Sequence, residues 1–412
     1  MQSIYDDGIG DLDDYKDDIK EVLKESNWRN PKPVIQLANK LRTDNVLQES
    51  SHNPSKTGSI KFYYSDNNDI GYIKSKIDWD FDNSKETKIL NLTHNLIAPK
   101  AGFENLMAIY NGDKIIDFKN RIKKYIKNNS ITTDFSQKTF DEVIQELQQG
   151  KTGSDLNKVS PTNGMQEFID SNADLYNFAK TQIWESFSKI YLDKDQLVDD
   201  KKQDKDEESK KGSKRDDLIK HLFKIQHNIF LYNSEQFNEF IRKTEYKISN
   251  TTDKVELKNQ IEELTKVEDK TIEEIIEKAD EYGICKKDDK LTRFIDKKEY
   301  IYNRVKQIKF LEFQNLYNYL EGYTPLSTQH KTKGNEFDNV LVILDNGGWR
   351  NYNFENLFIG GSSESIETRT KKIFYVCCTR AKENLGVFFY NPTQEVITKA
   401  KEWFGTSNLC EI

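Results

Sequence analysis

Apolar residues recur along this chain with two periods. Val34, Leu37, Ala38 and Leu41 fall at helical spacing, and Pro31 and Pro33 just before them suit a turn and a first helical position. Ser26 or Asn27 is placed to cap that helix. Residues 59–64 (SIKFYY) and 87–93 (TKILNLT) are short runs that predict strands. Helical spacing returns over 103–127, 165–192, 218–241, 254–282 and 297–320. Val340–Leu344 is a buried-strand run, bounded by Asn339 and by the turn Asp345-Asn346-Gly347-Gly348. Ile366, Ile373, Phe374 and Cys377 share one helix face, at i, i+7, i+8 and i+11. Leu385–Tyr390 predicts a strand, and Thr393 caps a final helix that ends near Gly405.

The two ends therefore look α/β and the long middle looks helical. The simplest topology is one α/β domain, residues 1–100 and 323–412, interrupted by a helical insertion over 101–322. Residues 193–217, DKDQLVDDKKQDKDEESKKGSKRDD, form a mixed-charge run expected to be an exposed linker, with too little apolar surface to offset ordering. An acidic stretch over 12–25 is expected to be helical.

Composition narrows the class. The chain has 412 residues, 32% of them charged, with mean hydropathy −0.83. No window is long and apolar enough for a membrane helix. The N-terminal stretch is acidic and has no apolar core of the kind a secretory signal needs. Cys285, Cys377, Cys378 and Cys410 show no CxxC spacing, which fits a reducing cytoplasm and neither a zinc site nor a disulfide frame. The net charge of −7 argues against a passive polyanion binder, but not against a motor that grips nucleic acid through a local groove.

Four segments carry candidate chemistry, in this order: Gln2-Ser3-Ile4-Tyr5, Asn27-Trp28-Arg29-Asn30-Pro31, His330-Lys331-Thr332-Lys333-Gly334-Asn335-Glu336-Phe337, and Tyr375-Val376-Cys377-Cys378-Thr379-Arg380-Ala381-Lys382. In this order they resemble motifs III, IV, V and VI of UvrD/Rep/PcrA-type superfamily 1 DNA helicases. The resemblance implies a RecA-like (P-loop NTPase-type) parallel-sheet domain interrupted by a large, mainly helical insertion. Gln2 would sense the γ-phosphate, and Tyr5 would offer a stacking surface to single-stranded DNA, although Asp6-Asp7-Gly8 departs from the basic and aromatic residues usual there. Arg29 and Arg380 would be arginine fingers on the γ-phosphate, a role that suits a planar guanidinium fork. Glu336 would bind the nucleotide ribose, and Gly334 would permit close backbone approach. His330, Lys331 and Thr332 would face the DNA backbone, as would His94 behind the 87–93 strand.

The same resemblance implies ATP and Mg²⁺ as cofactors and 3′-to-5′ translocation on single-stranded or partly duplex DNA. A motor of this type needs a G-x-x-x-x-G-K-[ST] loop and an acidic strand end for Mg²⁺. The nearest match is Gly150-Lys151-Thr152, where Gln145 stands in place of the first glycine and the preceding residues read as helix. The expectation is a second RecA-like domain whose catalytic partner, the first RecA-like domain, lies outside this sequence. The alternative is an ATPase-inactive helicase-like module that binds DNA or a nuclease partner, by analogy with relatives in phage defence.

Overall fold

The computed structural model describes residues 25–42, 44, 46–51, 56–199, 213–244 and 246–412. Gln2, Tyr5 and the acidic 12–25 stretch up to residue 24 lie outside the described residues. The chain is α/β and forms two compact units. One runs to Gly102 and resumes at Asn318; the other is Phe103–Tyr317.

The first unit is built on parallel strands. β1 (Ser26–Asn27) pairs with β2 (Glu49–Ser50). The main sheet holds β3 (Ser59–Ser65), β4 (Thr87–Asn91), β5 (Leu326–Thr328), β6 (Phe337–Leu344), β7 (Ala381–Tyr390) and β8 (Leu409–Glu411), in the order β5-β4-β6-β7-β3-β8. Every pairing in it is parallel. All five β4 residues are buried, as are the last five of β6. That near-continuous burial is what a parallel strand covered on both faces requires.

Helix Lys32–Leu41 buries Val34, Ile35, Leu37, Ala38 and Leu41 against helix Glu364–Cys378 and β3. Each such side chain contributes about 1.5–3 kcal/mol on leaving water. Phe62 of β3 packs on Phe358 and Phe404, and Trp403 lies on Phe358. Thr393 caps the last helix, Gln394–Phe404, which ends at Gly405 with φ 88°.

Three expectations about the secondary-structure elements and linkers fail. Neither Ser26 nor Asn27 caps helix Lys32–Leu41; both are in β1, and Pro31 occupies the cap without a side-chain bond. β6 starts at Phe337 and β7 at Ala381, upstream of the apolar runs, because ladder bonds are made by backbone whatever the side chain. The 193–217 run is not exposed throughout. Asp195–Val198 is a helical turn with Leu197 and Val198 buried, and Arg215 and Asp216 are buried. The Tyr110 hydroxyl donates to Asp216 at 2.7 Å, which helps hold that end.

The second unit is helical. Asp113 caps helix Lys114–Asn128 and accepts from Tyr300 Oη at 2.8 Å and Arg304 Nη1 at 2.5 Å. Gly150–Thr152 lies between helices Phe140–Gln148 and Gly153–Lys158, so no strand leads into it as a phosphate-binding loop would require. Among the described residues no helix is long and apolar enough to cross a membrane.

Candidate functional site

Two clusters sit at opposite ends of the main sheet. Glu336 and Arg380 immediately precede β6 and β7, so both stand at the N-terminal ends of adjacent parallel strands. The backbone joins them there: Phe337 N donates to Arg380 O at 2.9 Å. Helix Glu364–Cys378 passes into β7 through Thr379 and Arg380 alone.

Arg29 reaches the same place from the segment after β1. Its Nε donates to Glu336 Oε2 at 2.6 Å. Gly58 permits the close packing beneath, since a Cβ there would lie 2.3 Å from Glu383 O and 2.5 Å from Pro31 Cγ. Lys382 pairs with Asp338 at 2.6 Å beside the cluster.

The Arg380 side chain is only 3% exposed. Nε donates to Val376 O at 2.9 Å, Nη1 to Asn335 O at 3.1 Å and Nη2 to Thr379 Oγ1 at 3.1 Å. An arginine carries five N–H donors, so one N–H on each terminal nitrogen remains beyond these bonds. Burial lowers the Arg380 pKa, and the nearby charge of Arg29 lowers it further. Arg29 thus pairs with Glu336, whose charge also reaches Arg380, and the N–H groups left on the two guanidiniums suit a phosphate group.

Gly334 has φ 92°, and nothing in the protein lies within 4 Å of where its Cβ would be. The left-handed backbone is by itself a reason for glycine here, and the open space beside it leaves room for a close approach from outside the chain. Among the described residues no three His, Cys, Asp or Glu side chains cluster as a metal site would need. The guanidinium donors at these strand ends fit the phosphates of a nucleotide. Trp28, next to Arg29, is 68% exposed. Its exposure singles it out only in the structure, because a tryptophan in sequence reads first as core.

The second cluster follows the C-terminal ends of β4, β5 and β6. His94 begins helix His94–Ala101, with Nδ1 2.9 Å from the Tyr319 hydroxyl. His330 Nε2 lies 3.3 Å from the Tyr352 hydroxyl, and burial lowers the His330 pKa. The Tyr352 ring meets Trp349 at a centroid distance of 5.1 Å. Lys331 is exposed, with Nζ donating to Leu320 O at 3.1 Å. Thr332 does not share this surface: it is 1% exposed and its hydroxyl donates to Gln329 O at 2.9 Å. Its hydroxyl is engaged within the turn, so of the four residues expected to face the DNA backbone, His94, His330 and Lys331 lie at this end and Thr332 does not.

β6, with eight residues at about 3.3 Å each, separates the clusters by roughly 25 Å. Residues 329–336 bridge them, with His330 and Lys331 at one end and Glu336 at the other. Successive turns compact the bridge: Lys331 N donates to Thr328 O, Lys333 N to His330 O and Asn335 N to Thr332 O.

The chain is 26% identical to the Gabija protein GajB of Bacillus cereus (strain HuB5-5), over 98% of this chain and 54% of that protein. It thus spans about half the length of that relative. Residues 79–391, most of the chain, match the family described as UvrD-like helicase C-terminal domain. With its interrupted parallel-sheet domain, the chain belongs to the UvrD-like helicase C-terminal domain family.

Proposed function

We propose that this chain forms one wall of the ATP cleft of a superfamily 1 DNA helicase and carries part of its single-stranded DNA track. The observation that supports this most is the meeting of Arg29, Glu336 and Arg380 at the N-terminal ends of β6 and β7. Arg29 and Arg380 would hold the terminal phosphate from one side, Glu336 the ribose, and Trp28 the base. ATP bound there would bring the charge whose transfer the two guanidiniums stabilise. His330, Lys331 and His94 would touch the DNA backbone, where donors position a strand without reading its sequence. The 329–336 bridge would couple the two ends, and stepping would run 3′ to 5′.

The sequence contains no G-x-x-x-x-G-K-[ST]. A RecA-like domain bearing that loop, and with it the Mg²⁺ ligands, would therefore supply the facing wall. ATP turnover with and without single-stranded DNA tests the reading. The 412-residue chain alone should turn over negligibly, and addition of a phosphate-loop RecA-like domain should restore DNA-stimulated turnover. Appreciable turnover by the chain alone would sink the two-wall reading.

A second reading rests on the engagement of Arg380 by Val376, Asn335 and Thr379. A guanidinium with three of its five N–H groups on the protein's own acceptors suits a module that binds DNA or a nuclease partner without turnover. Unchanged biological function after Arg29 and Arg380 are both replaced would favour it.

A further inference from the structure

Asn30 connects the two arginines. Its side chain is buried, at 2% exposure. Nδ2 donates to Thr379 O at 3.1 Å and to Ala381 O at 2.7 Å, the carbonyls on either side of Arg380. Both N–H groups of the carboxamide are thus spent on the backbone that carries one arginine, while Asn30 itself follows the other in sequence.

Asn27 braces the arrangement from behind. Its Oδ1 accepts from Arg29 N at 3.0 Å and from Asn30 N at 2.9 Å. Its Nδ2 donates to Asn30 Oδ1 at 3.1 Å and to Gln48 Oε1 at 3.0 Å. The two carboxamides therefore hold the Arg29 backbone in one place relative to the Arg380 backbone, the Asn30–Thr379 bond spanning 349 residues of sequence. A serine at position 30 offers one O–H donor and a shorter reach, so it could serve at most one of the two carbonyls.

We propose that Asn30 is a positioning residue that sets the spacing between Arg29 and Arg380, so that both guanidiniums meet one phosphate group together. This rests on the nucleotide reading above. Arg380 is anchored separately by its own three hydrogen bonds, so loss of the Asn30 clamp displaces Arg29 alone. Misplacement on the scale of 1 Å costs up to about a hundredfold in rate.

The test is a double-mutant cycle on ATP turnover by the assembled motor, with this full chain as one component. Asn30→Ser, Arg29→Ala and the double variant are compared with the parent, and urea unfolding is followed for each. The expected result is a loss of about tenfold or more in kcat for N30S, with KM for ATP changed by less than about twofold. Once Arg29 is alanine, N30S should cost almost nothing further, because there is no second guanidinium left to place. Equal loss in both backgrounds, or turnover unchanged by N30S, overturns the positioning role while leaving the nucleotide reading intact. No turnover in the parent assembly, or no effect of R29A, overturns the nucleotide reading and this inference with it. If N30S does not fold, Asn27→Ala is read in the same cycle, since it removes the brace and keeps both bonds to the Arg380 backbone. A loss masked by R29A is again expected, and an additive one is contrary.

Discussion

Glu336 accepts the Nε–H of Arg29 at 2.6 Å, although 307 residues separate them in sequence. Their side chains are 32% and 47% exposed. An ion pair this open to water contributes little to folding. Its position, where two cationic side chains meet the ends of two strands, points to binding. On the proposed reading, Arg29 would exchange this carboxylate for a phosphate oxygen at small cost.

The first prediction follows from that exposure. Arg29→Ala should change unfolding free energy by less than about 1 kcal/mol. In the assembled motor the same change should lower ATP turnover by about 10²–10³. Urea unfolding and steady-state turnover measure the two; a large stability loss with little effect on turnover would make the pair structural.

Arg380 should behave differently, because its guanidinium is buried and holds three acceptors. Arg380→Ala should cost about 2–4 kcal/mol of stability as well as turnover, since buried carbonyls lose charged donors. Arg380→Lys should not restore turnover, because an ammonium lacks the planar fork. Circular dichroism against urea separates folding from function in both variants.

Gly58 tests the support under the site. A Cβ would collide with Glu383 O and with Pro31, both of them part of the packed segments beside Arg29 and β7. Gly58→Ala should destabilise the protein by about 1–3 kcal/mol, as overpacking does. A melting temperature equal to the parent's would mean that the segments part without strain.

Lys331 tests the other end of the sheet. It is exposed, and its bond goes to a backbone carbonyl. Lys331→Ala should leave stability within about 0.5 kcal/mol of the parent. Single-stranded DNA affinity should fall, and the slope of log affinity against log salt should shrink by about 1. An unchanged salt slope would remove Lys331 from the phosphate track.

The helical unit carries a pH dependence of its own. His221 is 1% exposed and sits 3.9 Å from the Cys285 sulfur. Burial pulls its pKa down to about 4; Lys224 and Lys287 add to the shift, and Asp288 and Asp280 oppose it. The folded pKa lies below the unfolded value of 6.5, so the unfolded chain binds the extra proton between them. Stability from this group is present above pH 6.5 and is lost as pH falls towards 4. Asp216, pushed up by burial to about 6, acts with the opposite sign in part of that window. His221→Gln compared with the parent isolates the histidine. The variant should lose roughly 2 kcal/mol less than the parent between pH 7 and 4.5, as read from urea midpoints.

How far the sequence could be read depended on how local each cause was. Ile366, Ile373, Phe374 and Cys377 announced one helix face; Ile373, Phe374 and Cys377 are buried in helix Glu364–Cys378, as are Tyr375, Val376 and Cys378 between and after them, while Ile366 is half-buried. Val340–Leu344 and Leu385–Tyr390 were legible as strands because their apolar runs are uninterrupted. Their true starts at Phe337 and Ala381 were not, since polar residues there are held by ladder bonds from a neighbouring strand. Asn27 looked like a helix cap by residue type. β-pairing of its backbone and the turn around Arg29 recruited its side chain instead.

The sequence by itself determined where the helical stretches lie and the apolar centres of β3, β4, β6 and β7, and its ordered motifs singled out Arg29, Glu336 and Arg380. Periodicity and residue chemistry act over a few neighbours, so both are written locally. Only the tertiary structure decided that Glu336 holds Arg29, that Asn30 grips the backbone on both sides of Arg380, and that Thr332 turns inward while Lys331 stays exposed. Those outcomes depend on which strand ends become neighbours in the sheet, and neighbours drawn from opposite ends of a 412-residue chain leave no local signature.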